Sequence, residues 1–132
     1  MSEKFILEII SPDRSIIRTE TSEVVIPSFE GEMGILKDHI PLITFLRPGL
    51  INIKASTEQK FFVEEGTVEF SNNNLLILTS TATEVTKMNK KFIDTLISES
   101  EKKLNNNEIS DKERYLLSYK LETLRNINQQ NF

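Results

Sequence analysis

Across the first 84 residues, turn signals recur about every eight to twelve residues with no helical period between them, which commits that stretch to short strands folded back on one another. KFILEII (Lys4–Ile10) stops at Ser11-Pro12-Asp13, and SEVVIP (Ser22–Pro27) is β-branched and ends at a proline. LITFL (Leu42–Leu46) lies between Pro41 and Pro48-Gly49, and LINIKA (Leu50–Ala55) alternates Leu50, Asn52 and Lys54 against Ile51, Ile53 and Ala55. KFFVEEGTVEF (Lys60–Phe70) contains Gly66, so it reads as two strands or as one strand with a bulge. NLLILTST (Asn74–Thr81) follows the asparagine turn and reads as a buried strand. An antiparallel sandwich or barrel is the expected body.

The period changes after residue 85. Met88, Phe92, Ile93, Leu96, Ile97 and Leu104 fall on one stripe at steps of three, four and seven, which predicts a helix. NNNEIS interrupts it, and Ser110-Asp-Lys-Glu113 is a capping box, in which the serine hydroxyl and the glutamate each satisfy an orphan amide of the next helix. Leu117, Leu121 and Leu124 then share a face, with Leu116, Tyr119 and Ile127 close by, and the tail NINQQNF is expected to fray. Two such helices joined by a short turn make an antiparallel hairpin. Each apolar face is narrow, so the pair has to dock on something to be stable. The predicted fold is therefore an all-β sandwich over residues 1–85 followed by a two-helix hairpin over residues 86–132.

Composition excludes several functions. The chain has no cysteine and one histidine, which removes disulfides, thiolate metal sites, Cys–His pairs and multi-histidine centres. The net charge of −4 divides unevenly: residues 1–84 carry −6 and residues 85–132 carry +2. An acidic sandwich repels phosphates, so no nucleic acid is expected, and the weakly basic remainder reads as a solvated helix face. No apolar run approaches the ~20 residues a membrane span needs. The opening MSEKFILEIISPDRS lacks the basic flank and cleavage site of a signal peptide, so a soluble cytosolic chain is the simplest expectation.

The segment IPSFEGEMGILKDHIPLI (Ile26–Ile43) holds two of the four glycines, two of the four prolines, three acids and the only histidine. It reads as a loop between strands, and loops this dense in special residues often carry function. Asp38 and His39 are a poor catalytic pair, because neighbours on an extended segment point apart. Glu30, Glu32 and Asp38 match no calcium-loop spacing, and no glycine-rich phosphate cradle is present. His39 either makes one hydrogen bond near a turn or joins a partner interface. Glu30-Gly31-Glu32-Met33, an acidic tip with a methionine expected at the surface, suits a protein contact better than catalysis. No catalytic, metal or cofactor residue is assigned.

The run from Ser28 to Thr44 resembles a segment of the epsilon subunit of F-type ATP synthase, EGE-x-G-(I/V)-(L/Y)-P-G-H-A-P-L-(L/I)-T. LRPGLINI is similar to that family's (L/I)-x-P-G-x-(I/V)-x-I strand, FFVEEGTVEFSNNNLLILTSTA to its Y-(L/V)-x-G-G-x-(L/V)-E-V…V-x-(V/I)-L-A-x-x-A stretch, and the opening strands also fit. The resemblance is close over residues 4–85 and architectural beyond. It implies a non-catalytic rotor subunit that links the gamma stalk subunit to the membrane c-ring, peripheral on the cytoplasmic face of the bacterial inner membrane. It implies that Glu30, Gly31, Glu32 and Met33 face the c-ring, Glu32 foremost, and that His39 and Pro41 lie on the gamma side.

In that family the hairpin can extend along the stalk to the alpha/beta catalytic head and restrain ATP hydrolysis, and some members bind ATP through (I/L)-D-x-x-R-A. Here Met88-Asn89-Lys90-Lys91-Phe92-Ile93 stands in its place, with the aspartate replaced by Asn89, the arginine by Phe92 and the alanine by Ile93. Weak or absent ATP binding is the expectation, with Phe92 and Ile93 widening the apolar stripe that holds the hairpin down. Lys37-Asp38 replaces Pro-Gly, and Glu65 replaces the first of two glycines. The alternative reading is a free-standing β-sandwich recognition module with some other partner for its hairpin.

Overall fold

The computed structural model describes residues 3–131. Ten strands come first: β1 (Phe5–Ile10), β2 (Ser15–Thr21), β3 (Glu23–Ser28), β4 (Gly31–Leu36), β5 (Leu42–Leu46), β6 (Gly49–Lys54), β7 (Glu58–Val63), β8 (Gly66–Ser71), β9 (Asn74–Leu78) and β10 (Thr83–Glu84). A 3-10 turn at Val85–Lys87 leads into α1 (Lys90–Leu104), and α2 spans Asp111–Asn131. The stretch Lys60–Phe70 resolves into two strands, separated where Gly66 takes φ +156°. A Cβ there would lie 2.6 Å from the Leu78 carbonyl oxygen, so only glycine lets β8 start this close to the end of β9.

Strand order is β10-β7-β6-β3-β5-β8-β9-β1-β2, with β4 paired to β3. The sheet turns its corner between β3 and β5, which share the single register pair Ser28↔Leu46. Backbone bonds from Phe29 N–H to the Phe45 carbonyl (3.1 Å) and from Arg47 N–H to the Pro27 carbonyl (2.9 Å) hold that corner. The two halves then face each other over one core. Leu7 and Ile9 of β1, Val24 and Ile26 of β3, Ile51 and Ile53 of β6, and Leu75 and Ile77 of β9 are fully or almost fully buried in it. Alternation along each strand sends every second side chain inward, the arrangement expected of a sandwich.

Several sequence expectations need correction. One strand pair is parallel: β1 runs alongside β9, Ile6↔Asn74 to Ile10↔Leu78, because the first strand closes the half-sheet against a strand from its far end. Ser15–Thr21 and Thr83–Glu84 are strands that the turn signals did not reveal, and Asn74–Thr81 ends as a strand at Leu78. Gly31–Leu36, expected as loop, is β4; it completes a tight hairpin with β3 from Ser28↔Gly31 to Glu23↔Leu36.

The helices form as their sequence signals require. Asn89 caps α1, its side-chain oxygen accepting from Phe92 N–H at 2.8 Å. The capping box is present: Glu113 N–H donates to Ser110 Oγ (3.1 Å), and Ser110 N–H donates to Glu113 Oε1 (3.3 Å). Arg125–Glu101 at 2.7 Å and Asn128 Nδ2 to Asp94 at 3.2 Å tie the two helices side by side. The pair docks on the outer side of β6 and β7, where Phe62, Met88, Ile93, Leu124 and Ile127 form a second buried cluster, flanked by Leu50, Val85, Leu96 and Ile97. Thus β7 is covered on both sides, Phe61 and Val63 facing the sandwich core and Phe62 the helices. The tail is helical through Asn131, with Ile127 buried in this cluster, and Phe132 lies outside the described residues. One expectation fails here. Phe92 points outward and is 44 % exposed while its neighbour Ile93 is 0 % exposed, so the stripe is narrower than the sequence suggested.

Candidate functional site

The stretch Ile26–Ile43 divides into three parts: the β3–β4 turn, strand β4, and the connection Lys37–Pro41. In the turn, Ser28 is buried; its hydroxyl donates to the Gly31 carbonyl (2.7 Å) and accepts from Glu30 N–H (3.2 Å). Gly31 takes φ +119°, which a side chain at that position would strain. Glu30 and Glu32 are exposed, as an acidic tip requires, whereas Met33 is half-buried and packs against the sandwich core. Strand alternation explains the correction, since Glu32 and Met33 must point to opposite sides.

In the connection, Asp38 takes the left-handed region at φ 66°, where the resembling family carries glycine. A reciprocal pair holds it there. Asp38 N–H donates to Asn73 Oδ1 (2.7 Å), and Asn73 Nδ2 donates to Asp38 Oδ1 (2.9 Å), with Asn72 and Asn73 themselves at φ 50° and 58°. His39 is half-buried, edge-on to the Phe70 ring at 5.8 Å, with Nδ1 2.7 Å from the Ile40 carbonyl. Pro41 is exposed. Both surround a feature that sequence reasoning missed. Ile40 and Ile43 are 74 % and 76 % exposed, and Phe45 is 57 % exposed. Register places Phe45, Thr67, Leu78 and Ile10 in one row across β5, β8, β9 and β1, and Ile43, Glu69, Leu76 and Glu8 in the next. The outer face of this half-sheet is therefore a mostly apolar surface open to solvent, of the kind that marks a protein contact. The signal was present in LITFL, where Ile43 and Phe45 make the face opposite Leu42, Thr44 and Leu46 wholly apolar, so that both faces ask for cover.

On the opposite side of the corner, the turn meets α2. Phe29 stacks on Tyr115 (centroids 6.3 Å apart, planes within 11°), and Tyr115 meets Tyr119 edge-on at 4.9 Å. The Arg47 guanidinium lies 3.8 Å over the Tyr119 ring. Lys120, 14 % exposed at its side chain, pairs with Glu64 at 2.7 Å. The Tyr115 hydroxyl is held above the ordinary tyrosine value, first by partial loss of water and then by Tyr119 beside it, with Arg47 pulling the other way. Nothing in this set resembles reaction machinery. Among the described residues, no group of three or more His, Cys, Asp or Glu is placed to hold a metal, and no helix is long and apolar enough to cross a membrane.

Residues 4–85 match the family model described as ATP synthase, Delta/Epsilon chain, beta-sandwich domain. An ATP synthase epsilon chain from Pelagibacter ubique is 45 % identical over 130 residues, covering 97 % of this chain and 100 % of the relative. The chain belongs to the ATP synthase epsilon chain family. An epsilon chain from a Bradyrhizobium species is 32 % identical over 127 residues, covering 96 % of this chain and 93 % of the relative. Among solved structures, a chain of the Euglena gracilis mitochondrial ATP synthase, described as OSCP/F1/c-ring, superposes with a TM-score of 0.77 at 18 % identity, covering 100 % of this chain and 84 % of that one. A chain from the Tetrahymena thermophila enzyme, described as central stalk/c-ring, gives 0.67 at 15 % identity, covering 99 % and 98 %. At those identities the likeness establishes the fold: a sandwich with two C-terminal helices.

At the start of α1 this epsilon chain departs from the motif that the resemblance assigns to some members of the family. Asn89 is engaged as the helix cap, Phe92 faces solvent and Ile93 fills the docking cluster, so the three positions serve helix start and packing.

Proposed function

We infer that this chain is a non-catalytic subunit of the rotor stalk of a proton-translocating ATP synthase, in which it joins the gamma subunit to the membrane c-ring. The observation that carries the reading is the outer face of β5, β8 and β9. A free sandwich would not leave Ile40, Ile43 and Phe45 in water, and a stalk subunit covers them. His39 and Pro41, on either side of the exposed Ile40, are assigned to the gamma contact, Pro41 through its exposed surface and His39 through the part of its ring that its packing on the buried Phe70 leaves open. The acidic tip Glu30-Gly31-Glu32 is the c-ring contact; Met33 anchors it from within. Support for those partners comes from the c-ring and central-stalk assemblies in which the structural neighbours sit.

Residues 1–85 carry the two docking surfaces, and residues 86–132 form the regulatory part, able to leave the sandwich and reach the catalytic head. ATP binds the hairpin weakly or not at all, because Asn89 and Phe92 stand where the family's ATP-binding members carry a carboxylate and a guanidinium. The chain sits peripherally on the cytoplasmic face of a bacterial inner membrane, held by its partners rather than by a span of its own.

Co-elution with the gamma subunit on a sizing column tests the central claim. The wild-type chain is expected to elute with gamma one-to-one, and Ile43→Glu to weaken the complex by more than about tenfold while keeping the free chain folded. Failure of the wild-type chain to bind gamma would favour the free-standing recognition module instead.

A further inference from the structure

One set of contacts crosses from the hairpin to the acidic tip. Phe29 sits inside the β3–β4 turn, yet its ring leaves the turn and stacks on Tyr115 of α2. Tyr115 packs on Tyr119, Tyr119 lies under Arg47, and Arg47 returns to the end of β3, just before the turn, through its backbone bond to the Pro27 carbonyl. These contacts make a closed circuit: turn, α2, β5–β6 connection, turn. Glu32 of the tip and Glu122 of α2 line the same cleft of about 340 Å³ as Arg47 and Tyr119. Among the described residues Arg47 makes no ion pair; its guanidinium lies over the tyrosine face and its Nε is buried without a partner. Glu32 likewise has no cationic partner there, so its carboxylate stays exposed.

From this circuit we propose that the folded hairpin and the c-ring grip on the acidic tip are thermodynamically linked: α2 holds the tip in its docking-competent form. The proposal rests on the reading above that this tip meets the c-ring. With α2 in place, Phe29 is pinned and Arg47 is held on Tyr119, leaving Glu32 free for a donor on the ring. With α2 withdrawn, Phe29 loses its stacking partner, and Arg47, freed from the Tyr119 face, is left beside Glu32, with which it shared the cleft wall, and competes for that carboxylate. Linkage is reciprocal, so docking on the ring must stabilise the folded hairpin by the same factor.

The test uses the full chain bound to gamma, with detergent-solubilised c-ring as the probe. Tyr115→Ala is expected to weaken ring binding about threefold, the scale of one exposed aromatic pair, whereas Tyr115→Phe keeps the stack, gives up only the long 3.5 Å bond from its hydroxyl to the Phe29 carbonyl, and binds within about twofold of wild type. Ring binding is expected to slow hydrogen exchange of α2 amides in the wild-type chain. Phe29→Ala removes the same stack from the turn side, and in the free chain it should speed α2 exchange by a similar factor without altering the hairpin itself. If Glu32→Gln weakens ring binding but Tyr115→Ala does not, or if Phe29→Ala leaves α2 exchange unchanged, the linkage is overturned and the ring contact stands. If Glu32→Gln binds like wild type, the siting of the ring contact has failed and the linkage falls with it.

Discussion

Two neighbouring residues on α1 offer a sharp test of how the hairpin is held. Ile93 is 0 % exposed among Phe62, Met88, Leu124 and Ile127, and Phe92 beside it is 44 % exposed. Ile93→Ala removes three buried carbons, worth about 0.8 kcal/mol each before any cavity term, so a loss of about 3 kcal/mol is expected. Phe92→Ala deletes the larger side chain but should cost less than about 1 kcal/mol, because much of it was never removed from water. The docking cluster is separate from the sandwich core, so the Ile93 loss should fall on the hairpin alone. Native-state hydrogen exchange reads this directly: a loss of about 3 kcal/mol lowers protection of α1 and α2 amides roughly a hundredfold. Amides of β1 and β9, whose side chains pack in the first core, should keep their protection. Equal effects from the two substitutions would refute the assignment of which side chain anchors the hairpin. A parallel fall in β1 and β9 would refute the idea that the hairpin opens independently of the sandwich.

Asn89→Ala removes the side-chain bond to the Phe92 amide in the first turn of α1 and should lower hairpin stability by about 1 kcal/mol, whereas Asn89→Asp keeps it and adds a favourable charge at the helix start; helical circular dichroism during thermal unfolding separates them. Gly66→Ala places a Cβ against the Leu78 carbonyl at a strained dihedral, so chemical denaturation should show a loss of about 1–3 kcal/mol centred on β8 and β9. Tyr115 has a folded-state pKa above its unfolded one, so its contribution is fully present below the ordinary tyrosine value near 10 and is lost as pH rises through the folded value. The phenolate absorbance lost in Tyr115→Phe should accordingly titrate on the alkaline side of an ordinary tyrosine, and titration at or below the ordinary value would contradict the environment described.

Local signals in the chain determined a great deal. The spacing of turns made the first part a sandwich, the change of period near residue 85 made the second part helical, and Ser110–Glu113 fixed a helix start through its own hydrogen bonds. These succeed because a cap or a turn is decided by residues within three or four positions of one another. The Glu30–Thr44 pattern was enough to indicate the family, and with it the acidic tip. What the sequence could not supply were facts set by distant neighbours. Strand β4 was invisible because glycines and acids are poor strand formers, and pairing with β3 overrides that preference. Met33 read as exposed because burial depends on strand phase, which the corner at Ser28↔Leu46 and the β3 pairing set. Phe92 and Ile93 are both apolar and adjacent, and only the rotation of α1 on Phe62 decides which is buried. The same holds for the Ile43–Phe45 surface and for the contact between Phe29 and Tyr115, 86 residues apart. Periodicity tells a side chain which face it shares; only the packed structure tells that face what lies against it.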